Sequence, residues 1–169
     1  MKQVLIFFFI LITSKAFCQT ETDLDGKIKN FFVEASNCFA SIKDSLLRTV
    51  GSTQYLNTKT TFFGKRGEVQ DGKYECQVRY SVAIYLQDDG LAKANKIYEQ
   101  IRSSLEKVLA GKIKFDAEKQ TAYDTSSYMI RGTDAGSKDF IDTKNIIELS
   151  IKRDKDWPAV YLSMQRKKY

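Results

Sequence analysis

The stretch K-Y-E-C-Q-V-R-Y-S-V-A-I-Y-L-Q, residues 73–87, constrains the fold more than any other. Tyr74, Cys76, Val78, Tyr80, Val82, Ile84 and Leu86 take alternate positions, and Glu75, Gln77, Arg79, Ser81 and Ala83 fall between them. Side chains of a strand point to opposite faces in turn, so this spacing predicts a strand with one dry face and one wet face. One-sided burial is typical of antiparallel sheets, because parallel sheets are covered on both sides. The dry face then needs a cover.

Two amphipathic helices are expected to supply it. Over residues 22–50, Ile28, Phe32, Ala35, Phe39, Ile42, Leu46 and Val50 recur at three- and four-residue steps. Thr22 and Asp25 stand at capping-box spacing, and Gly51 is a natural stop. A second helix is expected to start at Asp88-Asp89-Gly90 and to end at Gly111, with Leu91, Ala94, Ile97, Ile101, Leu105 and Val108 as its stripe.

Further strands are predicted at 54–63, 112–115, about 120–131, 145–153 and 159–166. Gly64 and Gly67 read as bulges or a bend, and Asp71-Gly72 as a two-residue hairpin turn. Residues 132–139 read as a polar loop. The expected fold class is therefore α+β: a two-layer sandwich, a mainly antiparallel sheet covered by two helices, in the order α-β-β-α-β-β-β. In element order alone this layout is similar to secretion-chaperone-like, cystatin-like and nuclear-transport-factor-like folds, and no motif accompanies the similarity. The sequence shows no internal repeat.

The N-terminus speaks to address. Met1-Lys2 is followed by V-L-I-F-F-F-I-L-I, Val4 to Ile12, and then by Thr13, Ser14 and Lys15. This is the pattern of a secretory signal peptide over residues 1–18, too short for a lasting membrane span. Ala16 and Cys18 are small residues placed for a cut after Cys18; Ser14 and Ala16 would serve a cut after Ala16. Phe17 and Lys15 stand where a lipoprotein signal wants a small residue and a leucine, so Cys18 is a poor lipid acceptor. Residues 19–169 are then a single exported domain, periplasmic or secreted. Of the net charge of +6, Lys2 and Lys15 belong to the leader. The remaining bases are mixed with acids except for Arg166, Lys167 and Lys168, a basic C-terminal tail that reads as a solubilising end or a contact for an anionic surface. Export argues against a nucleic-acid partner.

Cys38 and Cys76 remain in the exported domain. Each borders an apolar face, and an oxidising compartment lets a bridge persist, so they are the candidate disulfide. The chain has no histidine. Ser-His-Asp and Cys-His catalysis and the usual zinc sites are thereby excluded. Ser104 and Lys107 match the S-x-x-K spacing, but the other motifs of that chemistry are absent and a helix face explains them. Glu21, Asp23, Asp25 and Gly26 open like a calcium loop, whose closing acid position holds Phe32. No metal or cofactor is expected.

The expected function is that of an exported, non-catalytic binding domain for a protein or an apolar ligand. Tyr85, Tyr123, Tyr128, Trp157 and Tyr161 are the candidate binding surface, because Tyr and Trp supply contact area at low entropic cost. Two alternatives stand beside it. One is a carboxylate-based enzyme using Asp139, Asp142, Asp154 or Asp156; the other is an envelope protein held at a membrane surface by the basic tail.

Overall fold

The structure, a computed structural model, describes residues 21–84, 89–121, 125–138 and 142–168. The leader with Cys18, and Tyr85, Tyr123 and Asp139, lie outside the described residues. Helix α1 spans Leu24–Ala35, and a 3-10 turn at Ala40–Ile42 leads into β1 (Lys43–Val50), β2 (Thr53–Phe62), β3 (Lys65–Asp71) and β4 (Glu75–Ala83). Helix α2 spans Gly90–Val108 and is followed by β5 (Ile113–Phe115), β6 (Lys119–Gln120), β7 (Ser127–Asp134), β8 (Asn145–Lys152) and β9 (Ala159–Lys167). All nine strands join one antiparallel sheet in the order β1-β2-β3-β4-β9-β8-β7-β5, with β6 on β7.

This overturns the expected two-layer sandwich and its order α-β-β-α-β-β-β, and the similarity in element order falls with it. The fold is α+β, but it is mostly a nine-stranded antiparallel sheet with two helices, of which only α2 is long. The largest error is the helix expected over 22–50. It ends at Ala35, and residues 43–50 form β1. Cys38 and Phe39 take left-handed backbone conformations, φ 51° and 59°, which no continuing helix allows. Ile42 then reaches the core from the 3-10 turn, whereas Leu46 and Val50 are exposed. The N-cap is also different: Asp23 accepts the Gly26 N–H at 3.1 Å.

A second correction concerns β3. Phe63 and Gly64 both have positive φ, 48° and 71°, the requirement of a tight hairpin turn between β2 and β3. Gly64 is therefore a turn residue. Asp71 closes β3, and the turn to β4 begins at Gly72, whose N–H donates to the Glu75 carbonyl at 2.9 Å.

The two halves of the chain repeat one plan. Each begins with a helix and ends in an antiparallel meander that runs inward, β1 to β4 in the first half and β7 to β9 in the second, where β5 and β6 both pair with β7. These two last strands pair from Glu75↔Lys167 to Ala83↔Ala159, with Arg79↔Ser163 at the midpoint. Arg79 and Ser163 thus stand at the centre of the join between the two halves.

Both helices lie on one face of the sheet. They touch each other, α1 also contacts β9, and α2 contacts β8 and β9. The core beneath them contains Ile28 and Phe31 of α1, Ile101 and Leu105 of α2, and Val78, Leu149, Leu162 and Met164 of the central strands. Phe31, Phe62 and Tyr80 form its aromatic centre, with ring centroids 5.0–5.8 Å apart. The Tyr80 hydroxyl stays satisfied by Thr60 Oγ1 at 2.9 Å. Buried Thr58 holds an irregular stretch of β2 by accepting the Gly67 N–H at 2.8 Å. Gly67 itself is required by close approach: a Cβ there would lie 2.7 Å from the Arg79 carbonyl oxygen and from the Tyr80 ring. Gly67→Ala is therefore expected to lower stability by about 1–3 kcal/mol, read as a fall in thermal midpoint with the native spectrum retained.

Cys38 and Cys76 form a disulfide, with their Cα atoms 5.4 Å apart. It ties the left-handed turn after α1 to the central strand β4. Among the described residues no helix is long and apolar enough to cross a membrane.

Candidate functional site: the bare face of the sheet

The helices occupy one face, and the alternation of β4, β8 and β9 sends polar side chains to the other. That face is ordered in rows across the strands. In the central row Glu68 of β3 stands opposite Arg79 of β4, Arg79 opposite Ser163 of β9, Ser163 opposite Glu148 of β8, and Glu148 opposite Arg131 of β7. The next row sets Ser81 beside Tyr161 and Tyr161 beside Ser150. Directly opposite residues of an antiparallel pair have side chains about 5 Å apart. Six of these residues, Arg79, Ser81, Glu148, Ser150, Tyr161 and Ser163, line a shallow hollow of about 280 Å³ over the join of β4 and β9.

The charges of the row are not all paired alike. Arg131 Nε donates to Glu148 Oε1 at 2.9 Å, and its Nη2 donates to the same oxygen. Glu68 is held from β1, where Arg48 donates through Nη1 at 2.8 Å and Nη2 at 3.3 Å. The Arg48 guanidinium also lies 3.9 Å from the centroid of the Tyr55 ring. Glu68 and Glu148 occupy equivalent places in the two halves, and each is neutralised by an arginine from an outer strand. The Arg79 side chain makes no ion pair or hydrogen bond among the described residues. The hydroxyls of Ser81, Ser150, Tyr161 and Ser163 likewise make no hydrogen bond there, and none of them is a buried atom left unsatisfied.

The expected tyrosine surface is divided by the fold. Tyr161 is on the bare face, 38% exposed, and Trp157 is 53% exposed in the loop before β9. Tyr128 pairs with Ile151, one position from the Ser150↔Tyr161 pair, so it points to the helix side and packs against the core. There the Arg153 guanidinium covers it at 4.5 Å. The structure therefore does not place Tyr128 and Tyr161 on a common face.

The acids are dispersed as well. Asp142 precedes β8, and Asp154 and Asp156 follow it. The eight residues of β8 put these loops roughly 25 Å apart. The Asp154 carboxylate accepts the N–H groups of Asp156 and Trp157 at 2.9 and 3.0 Å, the geometry of a loop brace. Among the described residues no group of three or more Cys, Asp or Glu side chains is placed to hold a metal ion.

The S-x-x-K pair has a structural occupation. Buried Ser104 donates to the Asp25 carboxylate of α1, and Lys107 Nζ meets the other Asp25 oxygen at 2.5 Å. The hydrogen bonds from Lys107 and Ser104 hold the Asp25 carboxyl below its ordinary range. The hydrogen bond to Asp25 raises the Lys107 ammonium, which keeps it protonated and unable to accept the Ser104 proton. This trio clamps α1 to α2.

The basic end of the chain is also engaged. Arg166 and Lys167 are inside β9. Arg166 Nη1 donates to Asn145 Oδ1 at 2.8 Å, and Lys168 Nζ donates to Asp71 Oδ1 at 2.5 Å and to the Gly72 carbonyl at 2.7 Å. Burial pushes the Asp71 carboxyl up, but hydrogen bonds from Lys168 and Lys43 outweigh it and hold it low.

A second network binds α2 to the sheet. The Tyr98 hydroxyl donates to Glu118 Oε2, and Arg153 Nη1 donates to Glu118 Oε1, both at 2.9 Å. Burial raises the Glu118 carboxyl, and the bonds from Tyr98 and Arg153 more than reverse that. A carboxylate depressed in the folded state contributes stability above its ordinary value, 4.5 for this group, and loses it as the pH falls through the folded value. Glu118→Gln is therefore expected to be less stable than the parent at pH 7 and to show a shallower loss of stability below about pH 4. Urea titrations across that range check it; parallel curves would exclude Glu118 from the acid transition.

Comparison with family models, with curated proteins and with solved structures finds no match to this chain.

Proposed function

We propose that the chain is an exported, non-catalytic binding domain whose recognition surface is the bare face of the sheet. One observation carries the reading: the helices and the core occupy a single side, while the opposite side keeps a polar hollow of about 280 Å³ at the junction of the two halves. The disulfide supports export, because such bonds persist in oxidising compartments. The polar lining favours a protein surface over an apolar ligand. Asp142 lies at the other end of β8 from Asp154 and Asp156, and Asp154 braces its own loop, which speaks against a carboxylate enzyme that joins those two loops.

The test fills the hollow. Ser150→Trp adds bulk at its wall without touching the core. The partner that co-purifies with the native exported domain is expected to be lost from Ser150→Trp and kept by Lys29→Trp, a substitution on the exposed side of α1. Retention by both variants would contradict the reading.

A second reading is favoured by β1. This edge strand is exposed over seven of its eight residues, with Leu46 at 56%, Leu47 at 47% and Val50 at 59%. An unpaired strand edge with apolar side chains accepts an extended protein segment by backbone pairing. In that case Leu47→Lys would release the partner and Ser150→Trp would not.

A further inference from the structure

We infer that the hollow on the bare face is a carboxylate-binding site, with Arg79 as its charged anchor and the hydroxyls of Ser81, Tyr161 and Ser163 as neutral donors. The inference rests on the reading of the bare face as the recognition surface, and it names what that face takes. The row bears four charges, Glu68, Arg79, Glu148 and Arg131, and Arg48 reaches it from β1. The Arg79 guanidinium at the centre is left without an ion-pair partner among the described residues, because its acidic neighbours Glu68 and Glu148 are held by Arg48 and Arg131. Its register partner is a serine, Ser163, and the neighbouring row adds Ser81 and Tyr161. Hydroxyls and a guanidinium fork are donors suited to a planar oxyanion.

Charge and size select the ligand. One unpaired cation balances one negative charge. A dianion such as phosphate would set its second charge near Glu148, which lines the same hollow. The hollow, about 280 Å³, falls below the size of a drug-sized ligand site, since such pockets span about 300–1,000 Å³. It fits one group of a larger partner: an aspartate or glutamate side chain, or a chain's terminal carboxylate. The ligand class is therefore an acidic protein segment, and Arg79 is the residue that reads it.

The experiment uses the exported domain with its disulfide intact, labelled for backbone amide spectra. Four probes are titrated at constant ionic strength: sodium acetate, N-acetyl-aspartate amide, N-acetyl-alanine and inorganic phosphate. Saturable shifts are expected for the carboxylates at Arg79, Ser81, Tyr161 and Ser163, and Arg79→Gln is expected to weaken them at least tenfold while leaving other peaks in place. The aspartate and alanine probes separate side-chain from terminal recognition. Shifts elsewhere, phosphate binding tighter than acetate, or equal affinity in Arg79→Gln would overturn the assignment. The two levels fail separately. A partner retained by Arg79→Gln but lost from Ser150→Trp removes the carboxylate site and leaves the surface. A partner retained by Ser150→Trp removes the surface itself.

Discussion

Removal of the Cys38–Cys76 bridge by the double substitution to alanine is expected to lower the unfolding free energy by about 4 kcal/mol. The bond closes a loop across a sequence separation of 38 residues. Its main effect is on the unfolded chain, whose freedom it restricts. The urea dependence should accordingly steepen in the variant, because a more open unfolded state exposes more surface. The native side has its own stake. Two consecutive non-glycine residues, Cys38 and Phe39, sit in left-handed conformations, and such residues cost of order 1–3 kcal/mol each. Burial of Phe39 and the bond at Cys38 hold that turn in place. Urea titrations of the oxidised parent and the double variant decide the matter. A loss under about 1 kcal/mol would mean that the turn is held without the bond.

Phe62→Ala is expected to cost about 3–5 kcal/mol. The ring is 1% exposed and lies at 5.8, 5.2 and 5.4 Å from the rings of Phe31, Phe63 and Tyr80. Its removal leaves a hole between α1 and the sheet that neighbouring rings cannot close without leaving their rotamers. Val50→Ala, in the same hairpin but 59% exposed, should stay within about 0.5 kcal/mol of the parent. The pair isolates burial from strand propensity. Similar losses in both variants would mean that the hairpin, and not the aromatic centre, sets the stability.

The parts of this fold that were legible in the sequence are those where one local pattern decides. The alternation from Cys76 to Val82 identified β4 and its dry face, and the stripe from Ala94 to Leu105 identified α2. The cysteines that border two apolar faces do meet. The extent of α1 was hidden because Phe39, Ile42, Leu46 and Val50 keep helical spacing while their fates differ: the first two are buried and the last two exposed. The deciding event is the sign of φ at Cys38 and Phe39, and neither is a glycine that would announce it. Strand β3 was hidden for another reason. K-R-G-E-V-Q-D contains one apolar residue, Val69, and owes its strand to pairing on both sides. Of the candidate site, Arg79 and Ser81 were readable as wet-face positions of the strand at 73–87. The assembly of the site was not, because it depends on β4 lying beside β9 and so on the contact of Arg79 with the row of Ser163.

Site-specific photo-crosslinking of the domain in its native cell fractions, extracellular and envelope fractions included, tests the recognition surface most directly. A photoreactive residue at Ser81 samples the bare face, one at Lys29 samples the helix side, and one at Leu47 samples the β1 edge. A discrete adduct is expected from Ser81, lost when Ser150→Trp is added, and none from Lys29. Adducts from Lys29 or Leu47 with none from Ser81 would contradict this and move the recognition surface to the helices or to the edge of the sheet.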